Sequence, residues 1–502
     1  FWHWEPDMLT LAILIPLDGA LVLAVMPKIT QDTARVIAVG TSAVSFLLLL
    51  IVWARFDTSA GAPAFQSLAE IEWIPSLGVA WRVGVDGMSL ALSLMSGVLF
   101  IACTAWPMES SERPRAYYAW FLFLEAVSLG LFLVLDLLIF YVFFDLSLVG
   151  MFFLIGRWGH GDSQRAALKF FIFTLAGSLA ILLAIIGLVL SVDPVTFDMR
   201  TMIDLQPLAG MDLRGGLILL GFIVGFAIKA PLFPVHTWLP PAHVMAPGPA
   251  SAILAGVLLK MGTYGLVRIP FQMMRETFAD YALPLAIIAL ASILWGAVVA
   301  LAQTDMKRRI AYTSINHMGY TVMGIAAAGA LLNGSEGARE MAMTGAVVEM
   351  IAHGLITGAL FLIAGGFWTR SKTYELDAFG GLANVAPRMT VAAVIAAFAS
   401  LGLPGLAGFV AEVQIFVGTF AVFPWIAAIG LLGILITAAL FLRLLQQVFF
   451  GDLPKAREGF ADVSLREGSI LAAILALVIL IGIYPRWLLD LIGSASSAII
   501  GS

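Results

Sequence analysis

The sequence has little charge and almost no cysteine. Of its 502 residues only 12% are Asp, Glu, Lys or Arg, against about 25% in an average soluble domain. The single cysteine, Cys103, excludes an internal disulfide and any Cys-ligated cluster or zinc site within the chain. It lies in an apolar run and reads as a small core residue. No Gly-rich loop follows a strand, no Walker loop is present, and no Cys/His spacing suits a metal. The chain itself is therefore expected to bind no NADH, ATP, iron–sulfur cluster or haem. No charged tail points to nucleic acid, and the net charge of −5 mixes two faces and says little. What the sequence has instead is apolar length. It is 61% hydrophobic with a mean hydropathy of +1.00, more apolar surface than a soluble fold can hide, which places it in a membrane.

A bilayer core of about 30 Å needs roughly 20 apolar residues per helix. About fourteen such runs follow one another, near 9–26, 35–54, 87–107, 116–134, 137–156, 167–191, 215–234, 249–269, 280–303, 309–331, 341–367, 389–420, 424–450 and 469–490. The first reads as a spanning helix rather than a cleavable leader. The basic residues support the count. Sixteen of the 27 Lys and Arg residues, among them Lys28, Arg113, Arg157, Lys307, Lys372 and Arg466, fall on one set of alternate connections. Eight, among them Arg82, Arg200, Arg268 and Arg486, fall on the other, and Lys229, Lys260 and Arg443 fall within runs. The positive-inside rule puts the first set in the cytoplasm and both termini outside. The stretches near 55–86 and 192–214 are too short for a soluble cofactor domain.

An ionisable residue at the bilayer centre costs several kcal/mol, roughly 2.5–3.5 by insertion scales, so each one asks for a reason. In order they are Glu125 in the fourth run, Asp145 in the fifth, Lys229 in the seventh, Lys260 in the eighth and His317 in the tenth. Glu349 and His353 follow at i and i+4 in the eleventh and Glu412 in the twelfth. Arg443, nearer a helix end, reads as snorkelling. Any one of these fits a pair that glues two helices together. The set fits a relay better, because mixed Asp, Glu, Lys and His inside helices are what proton pathways use. Lysine suits that task, since burial disfavours its charge and a nearby carboxylate restores it. Asp145 is the expected partner of Lys229. Lys169, His236 and His243 are secondary: Lys169 reads either as a cytoplasmic feeder or as a snorkelling end residue, and the two histidines, in the loop after the broken seventh run, read as lying at the inner mouth.

Two runs carry mid-membrane prolines beside a buried charge. Pro231 and Pro234 follow Lys229, and Leu403-Pro404-Gly405 precedes Glu412. Proline removes a backbone hydrogen bond, so both helices are expected to break, and unwound backbone is tolerated at that depth only inside protein or along a cavity. The breaks lie five runs apart. A five-helix unit repeated in tandem re-emerges inverted, the layout of secondary transporters. The expected architecture is all-α and polytopic. Residues 1–107 form helices one to three, 115–269 the repeat of helices four to eight, 280–450 the inverted repeat of helices nine to thirteen, and 451–502 the fourteenth helix. In this scheme Lys229 and Glu412 are counterparts.

The run GFAIKAPLFPVHTWLPPAHVMAPGPASAILAGVLLKMGTYGLVRIP (225–270) resembles the signature of the antiporter-like subunits of respiratory complex I. So do VGVDGMSL (83–90), FYVFFDLSLVGMFFLIGRWG (140–159), AALKFFIFTLAGS (166–178), TDMKRRIAYTSINHMGY (304–320), HGLITGALFL (353–362), LGLPGLAGFVAE (401–412) and LLQQVFFG (444–451). Subunits of multisubunit cation/proton antiporters are similar as well. An acid at Glu412, where the L- and N-type chains resemble a lysine motif, and the lack of a long C-terminal amphipathic helix point to the M-type chain. The resemblance implies a proton-translocating subunit of an NADH:quinone oxidoreductase in a bacterial inner membrane. Quinone reduction elsewhere in the complex would drive it, with NADH, FMN, iron–sulfur clusters and quinone held by partner subunits. It implies L- and N-type chains and lipid as neighbours. It also implies a relay through Asp145, Lys229, Lys260, His317, His353 and Glu412. Asp145 is a methylene shorter than the family's usual Glu, so a water can bridge it to Lys229. Glu349 replaces a usually neutral residue, as a relay group or as the partner of His353. The competing assignments are a subunit of a Na⁺/H⁺ antiporter or of a membrane-bound hydrogenase-type complex.

Overall fold

The computed structural model describes residues 7–59, 61–210, 212–331 and 334–501. Within them, eleven helices are long and apolar enough to cross a membrane. The chain opens with α1 (Met8–Val25), α2 (Gln31–Arg55), a hairpin of β1 (Gln66–Ile74) and β2 (Val79–Val85), α3 (Gly87–Ala105), α4 (Pro114–Leu133), α5 (Leu137–Trp158) and α6 (Ser163–Val189). A short α7 (Met199–Leu205) leads to α8 (Asp212–Lys229) and α9 (Leu239–Met245). One continuous helical rod spans Gly248–Phe271 and contains α10 (Gly248–Ile253) and α11 (Leu259–Leu266). There follow α12 (Arg275–Asp280), α13 (Ala282–Ala302), α14 (Met306–Gly329), α15 (Glu336–Ser371), α16 (Pro387–Ser400), α17 (Ala407–Val422), α18 (Pro424–Phe449), α19 (Leu465–Ile483) and α20 (Arg486–Gly501).

Polar residues place the helix ends. Asp7 accepts from the backbone N–H groups of Leu9 and Thr10 at 2.8 and 2.9 Å, and Asp86 and Ser464 form capping boxes on α3 and α19. Between helices there is no hydrophobic drive in lipid, so close backbone approach and dispersion take over. The tight α13–α14 contact shows how. A Cβ on Gly296 would stand 2.6 Å from the Asn316 nitrogen, and one on Gly319 would stand 2.9 Å from the Ala289 carbonyl oxygen.

The connections bond to one another in two layers. At one end Leu135 N–H donates to the Arg82 carbonyl, Gln206 Nε2 to the Gln272 carbonyl, and Arg82 pairs with Asp136 at 2.8 Å. At the other, His160 N–H donates to the Met245 carbonyl, Met306 N–H to the Tyr374 carbonyl, and Arg370 pairs with Glu467 at 2.7 Å. These are the same two groups of connections that the basic residues separate.

Three features depart from the sequence expectation. The hairpin interrupts an otherwise helical chain. Its first strand, QSLAEIEWI, pairs antiparallel with the second (Glu70 opposite Arg82), and Arg82 and Arg200 tie it to Glu70, Asp136 and Asp198. Arg268, taken as a loop residue, is wholly buried in the 248–271 rod and pairs with Asp86 at 2.6 Å. The segment 451–502 holds two helices rather than one, because Pro485 and Arg486 restart the chain as α20, which packs on α3 and α15.

Candidate functional site

Two helices have their membrane-spanning stretch wholly buried in the bundle, the 248–271 rod and the central part of α15. They carry Lys260 on one and Glu349 and His353 on the other. At about 1.5 Å per residue the 36 residues of α15 exceed a bilayer core, so this helix serves as the spine of the second half. The rod is underwound into wider π-helical turns at Leu254–Leu258 and Val267–Phe271, on either side of Lys260. Such turns free carbonyls for other partners, and Lys260 Nζ donates to the Ala255 carbonyl at 2.6 Å.

From Lys260 a line of polar groups runs into the second half. Lys260 Nζ lies 2.6 Å from His353 Nδ1. The His353 and His317 rings are 5.4 Å apart, centroid to centroid. His317 Nδ1 meets Glu349 Oε1 at 3.0 Å, and its Nε2 meets the Ser400 hydroxyl at 3.2 Å. Ser400 ends α16 at the second break, where Gly402 takes φ 76°. A Cβ there would fall 2.2 Å from Glu412 Oε2. The Glu412 carboxyl thus rests on the unwound backbone that Ser400 opens. Of the two readings of Glu349, that of partner to His353 is corrected: Glu349 Oε1 meets His317 on α14, while His353 Nδ1 turns to Lys260 on the rod.

The first half is looser. Lys229 closes α8, and the chain unwinds from Ala230 to Trp238 before α9 begins. Lys229 Nζ donates to the Ser147 hydroxyl at 2.8 Å and sits 5.0 Å over the Phe144 ring. Asp145 is not its contact. Asp145 is half-buried, has an unpartnered Oδ1, and lines a cavity of about 250 Å³ with Tyr141 and Phe171. On a helix residues 145 and 147 diverge by half a turn, and it is Ser147 that faces Lys229. The backbones of α8 and the rod touch beside both lysines, since a Cβ on Gly262 would stand 2.7 Å from the Ala230 nitrogen.

The secondary candidates divide. His236 is buried in the first break and accepts from Trp295 Nε1 at 3.2 Å. Glu125 is buried but turns to α2, accepting from the Ser42 hydroxyl at 2.5 Å, and so stands off the line. Lys169 is exposed on α6 and does not join it.

Sequence reasoning set one group aside and did not see another. His243, expected only as a loop residue at the inner mouth, is wholly buried, stacks on Phe361 at 4.4 Å, and leaves both ring nitrogens unpartnered. Glu109, His160, Lys307 and Tyr374 gather beyond it. Lys307 looked like one more topology-setting cation at a helix end, yet it is wholly buried and donates to the Ala246 carbonyl.

Among the described residues, the one ion pair within this line is His317 with Glu349; Lys229 bonds to a hydroxyl, and Lys260 to a carbonyl and to His353. Charges serving only as glue would be paired with opposite charges, because an uncompensated one costs several kcal/mol in lipid.

Residues 134–437 match the family described as NADH:quinone oxidoreductase/Mrp antiporter, transmembrane. The chain is 38% identical to NADH-quinone oxidoreductase subunit M of Rhodobacter capsulatus, over 97% of this chain and 95% of that one. It is 35% identical to an NAD(P)H-quinone oxidoreductase chain 4 of Trichormus variabilis, over 96% and 89%. Among solved structures it superposes on a chain of respiratory complex I from Thermus thermophilus with a TM-score of 0.86 at 30% identity, covering 98% of this chain and all of that one. A chain of the Mrp complex from a Dietzia species shares the fold at a TM-score of 0.85 and 18% identity, over 98% and 97%.

Proposed function

Because this chain belongs to the NADH:quinone oxidoreductase/Mrp antiporter transmembrane family, we propose that it is the M-type proton-translocating membrane subunit of an NADH:quinone oxidoreductase. Its relay runs through Lys229, Lys260, His353, His317 and Glu412, with Asp145 acting on Lys229 through intervening water. The observation that carries this reading is the succession from Lys260 Nζ to His353, across a 5.4 Å ring-to-ring step to His317, whose Nε2 meets Ser400 at the break that cradles Glu412; the unpartnered His353 Nε2 marks the step that a water would bridge. Histidine accepts a proton on one nitrogen while releasing another from the second. Glu349, bonded to Nδ1, turns the His317 Nε2 toward Ser400, which makes it a positioning residue. Glu125 and Lys169 fall outside the relay, and His236 flanks its start.

The architecture that goes with this reading has fourteen crossings. Eleven helices meet the length and apolarity test. The other three are α8 with α9, α14, and α16 with α17, and these three carry Lys229, His317 and Glu412. The domains are 1–107, the repeats 115–269 and 280–450 in inverted orientation, and 451–502. The connections holding Lys28, Arg113, Arg157 and Lys307 face the cytoplasm. L- and N-type chains and lipid cover the apolar outer faces, and the redox cofactors reside in partner subunits. Quinone reduction there supplies the energy, and protons leave on the outer side near Glu412.

The test is NADH-driven proton pumping in inside-out vesicles carrying Lys229→Ala, with complex assembly and quinone reduction followed on the same membranes. Loss of pumping and of coupled turnover in an assembled complex is the expected result. Unchanged pumping per NADH in that complex would falsify the relay.

A further inference from the structure

At the end of the bundle that carries most basic residues, six buried polar atoms lack partners within one small region: Glu109 Oε2, the Tyr117 and Tyr374 hydroxyls, His160 Nε2, and both ring nitrogens of His243. The region is continuous. Glu109 Oε1 accepts from Gly248 N–H at 2.6 Å, and Lys307 donates to Ala246 on the same junction between α9 and the rod. Lys307 Nζ lies 5.3 Å over the Tyr374 ring, and the His160 ring lies 5.7 Å from that ring and 3.9 Å from Trp368, on which it stacks. Glu109 and His160 are half-buried, while Lys307 and His243 are wholly buried, so the group runs from the surface inward. At its inner end His243 stacks on Phe361 of α15, about two turns along that helix from His353, which meets Lys260.

Buried polar atoms are almost always satisfied, and those without protein partners are satisfied by water. Six orphans in one place therefore call for a chain of waters. We infer that this cluster is a hydrated cytoplasmic port, in which Glu109 takes up the proton and His243 hands it to Lys260. The inference rests on the relay reading above.

Each group has a distinct part. Burial raises the Glu109 carboxyl above its ordinary range, with Lys307 and then Lys372 opposing from α14 and the end of α15, so it takes up protons at higher pH than an exposed glutamate. His160 cannot carry protons. Burial, and then Lys307, push it down to about 3, and it stays a neutral wall of the port. One proton enters on the Glu109 carboxylate and passes through water to one His243 nitrogen. The opposite nitrogen releases its proton to the neutral Lys260 amine, and His243 is neutral again.

The experiment compares Glu109→Gln, Glu109→Asp, His243→Leu and Lys260→Ala in inside-out vesicles, whose outer face is the cytoplasmic one, with assembly verified. Glu109→Gln and His243→Leu should lower pumping per NADH by about a hundredfold, the usual worth of a positioned proton-transfer group, and Glu109→Asp should restore part of it. If both pump normally while Lys260→Ala does not, the port is wrong and the relay stands. If Lys260→Ala pumps normally too, both readings fall. A second measurement covers variants that fail to assemble. Tyr374→Cys should react with a membrane-impermeant thiol reagent in inside-out but not right-side-out vesicles, above the low background of buried Cys103. Absence of labelling from the cytoplasmic side would overturn the port.

Discussion

The two helix breaks do the same thing to the backbone and opposite things to the charge beside it. The first, from Ala230 to Trp238, holds two prolines and follows a lysine whose Nζ donates to a hydroxyl on another helix. The second, between Ser400 and Ala407, holds one proline and two glycines at positive φ, 76° at Gly402 and 93° at Gly405. It precedes a glutamate that touches the unwound chain itself. The first break leaves its cation free to change partners between Ser147 and the nearby Asp145. The second fits its acid closely into a backbone cradle. If the proposed relay operates, a cation bonded to a hydroxyl on another helix and an acid seated on unwound backbone would make its two ends unlike, as two identical sites would not.

The largest effect that separates the two sites comes from deleting the charges. Lys229→Ala and Glu412→Ala should each abolish coupled pumping, about a hundredfold or more if each is an obligatory transfer group. Glu412→Asp should recover little, because the cradle at Gly402 is built to the length of a glutamate, whereas Lys229→Arg should keep partial activity because a guanidinium can still donate to the Ser147 hydroxyl. Equal recovery by both conservative variants in vesicle pumping would remove the contrast between the breaks.

Next comes the backbone of the second break. Gly402→Ala places a Cβ 2.2 Å from the Glu412 carboxylate in a left-handed conformation that costs a non-glycine residue roughly 1–2 kcal/mol. Pumping should fall with Glu412 still present, while the assembled complex loses thermal stability. Wild-type melting and pumping in that variant would show that the carboxylate does not rest where the cradle places it.

A smaller effect is expected at Ser147→Ala. The hydroxyl is the hydrogen-bond partner of Lys229, and a hydrogen bond to a charged group is worth about 1.5–3 kcal/mol. Pumping should drop about tenfold, less than for Lys229→Ala, because Asp145 remains. A Ser147→Ala loss equal to that of Lys229→Ala would mean that the serine is itself an obligatory carrier.

Much of this was legible in the sequence, for reasons that differ by residue. Hydropathy found the eleven long apolar helices because lipid forces every backbone bond inside a helix, and proline marked both breaks because it cannot donate one. Lys260, His353, His317 and Glu412 were legible because charge is expensive at mid-membrane. The errors came where cost is low or direction matters. Asp145 was assigned to Lys229 from its type and depth, but a helix turns about 100° per residue and the neighbouring Ser147 faces the lysine. Glu349 was legible as a buried acid, while its choice of His317 over His353 depends on how α14 packs against α15. Glu109 and Lys307 sit near helix ends, where charge is cheap and usually sets topology. Only three-dimensional packing buries Lys307 completely. The hairpin alternates too weakly to announce itself between long apolar runs.

The smallest effect concerns acid stability and falls on His160 of the first half, where it stacks on Trp368 of the second. His160, whose backbone N–H bonds the Met245 carbonyl at the end of α9, has its pKa lowered from 6.5 to about 3 by burial and then by Lys307 and Lys372, with a backbone hydrogen bond opposing. A lowered histidine pKa means that the native state refuses a proton that the unfolded chain accepts. Nothing is lost above pH 6.5. As pH falls from 6.5 toward 3 the unfolded chain binds that proton and native stability declines. His160→Gln removes this penalty. Between pH 7.5 and 5.0 the parent's melting temperature in detergent should therefore drop more than the variant's, by about 1–2 °C for a chain of this size. An equal drop in both would mean that the His160 ring already takes up its proton in the folded protein, and the wall of the first half's entrance would then carry charge that the second half lacks.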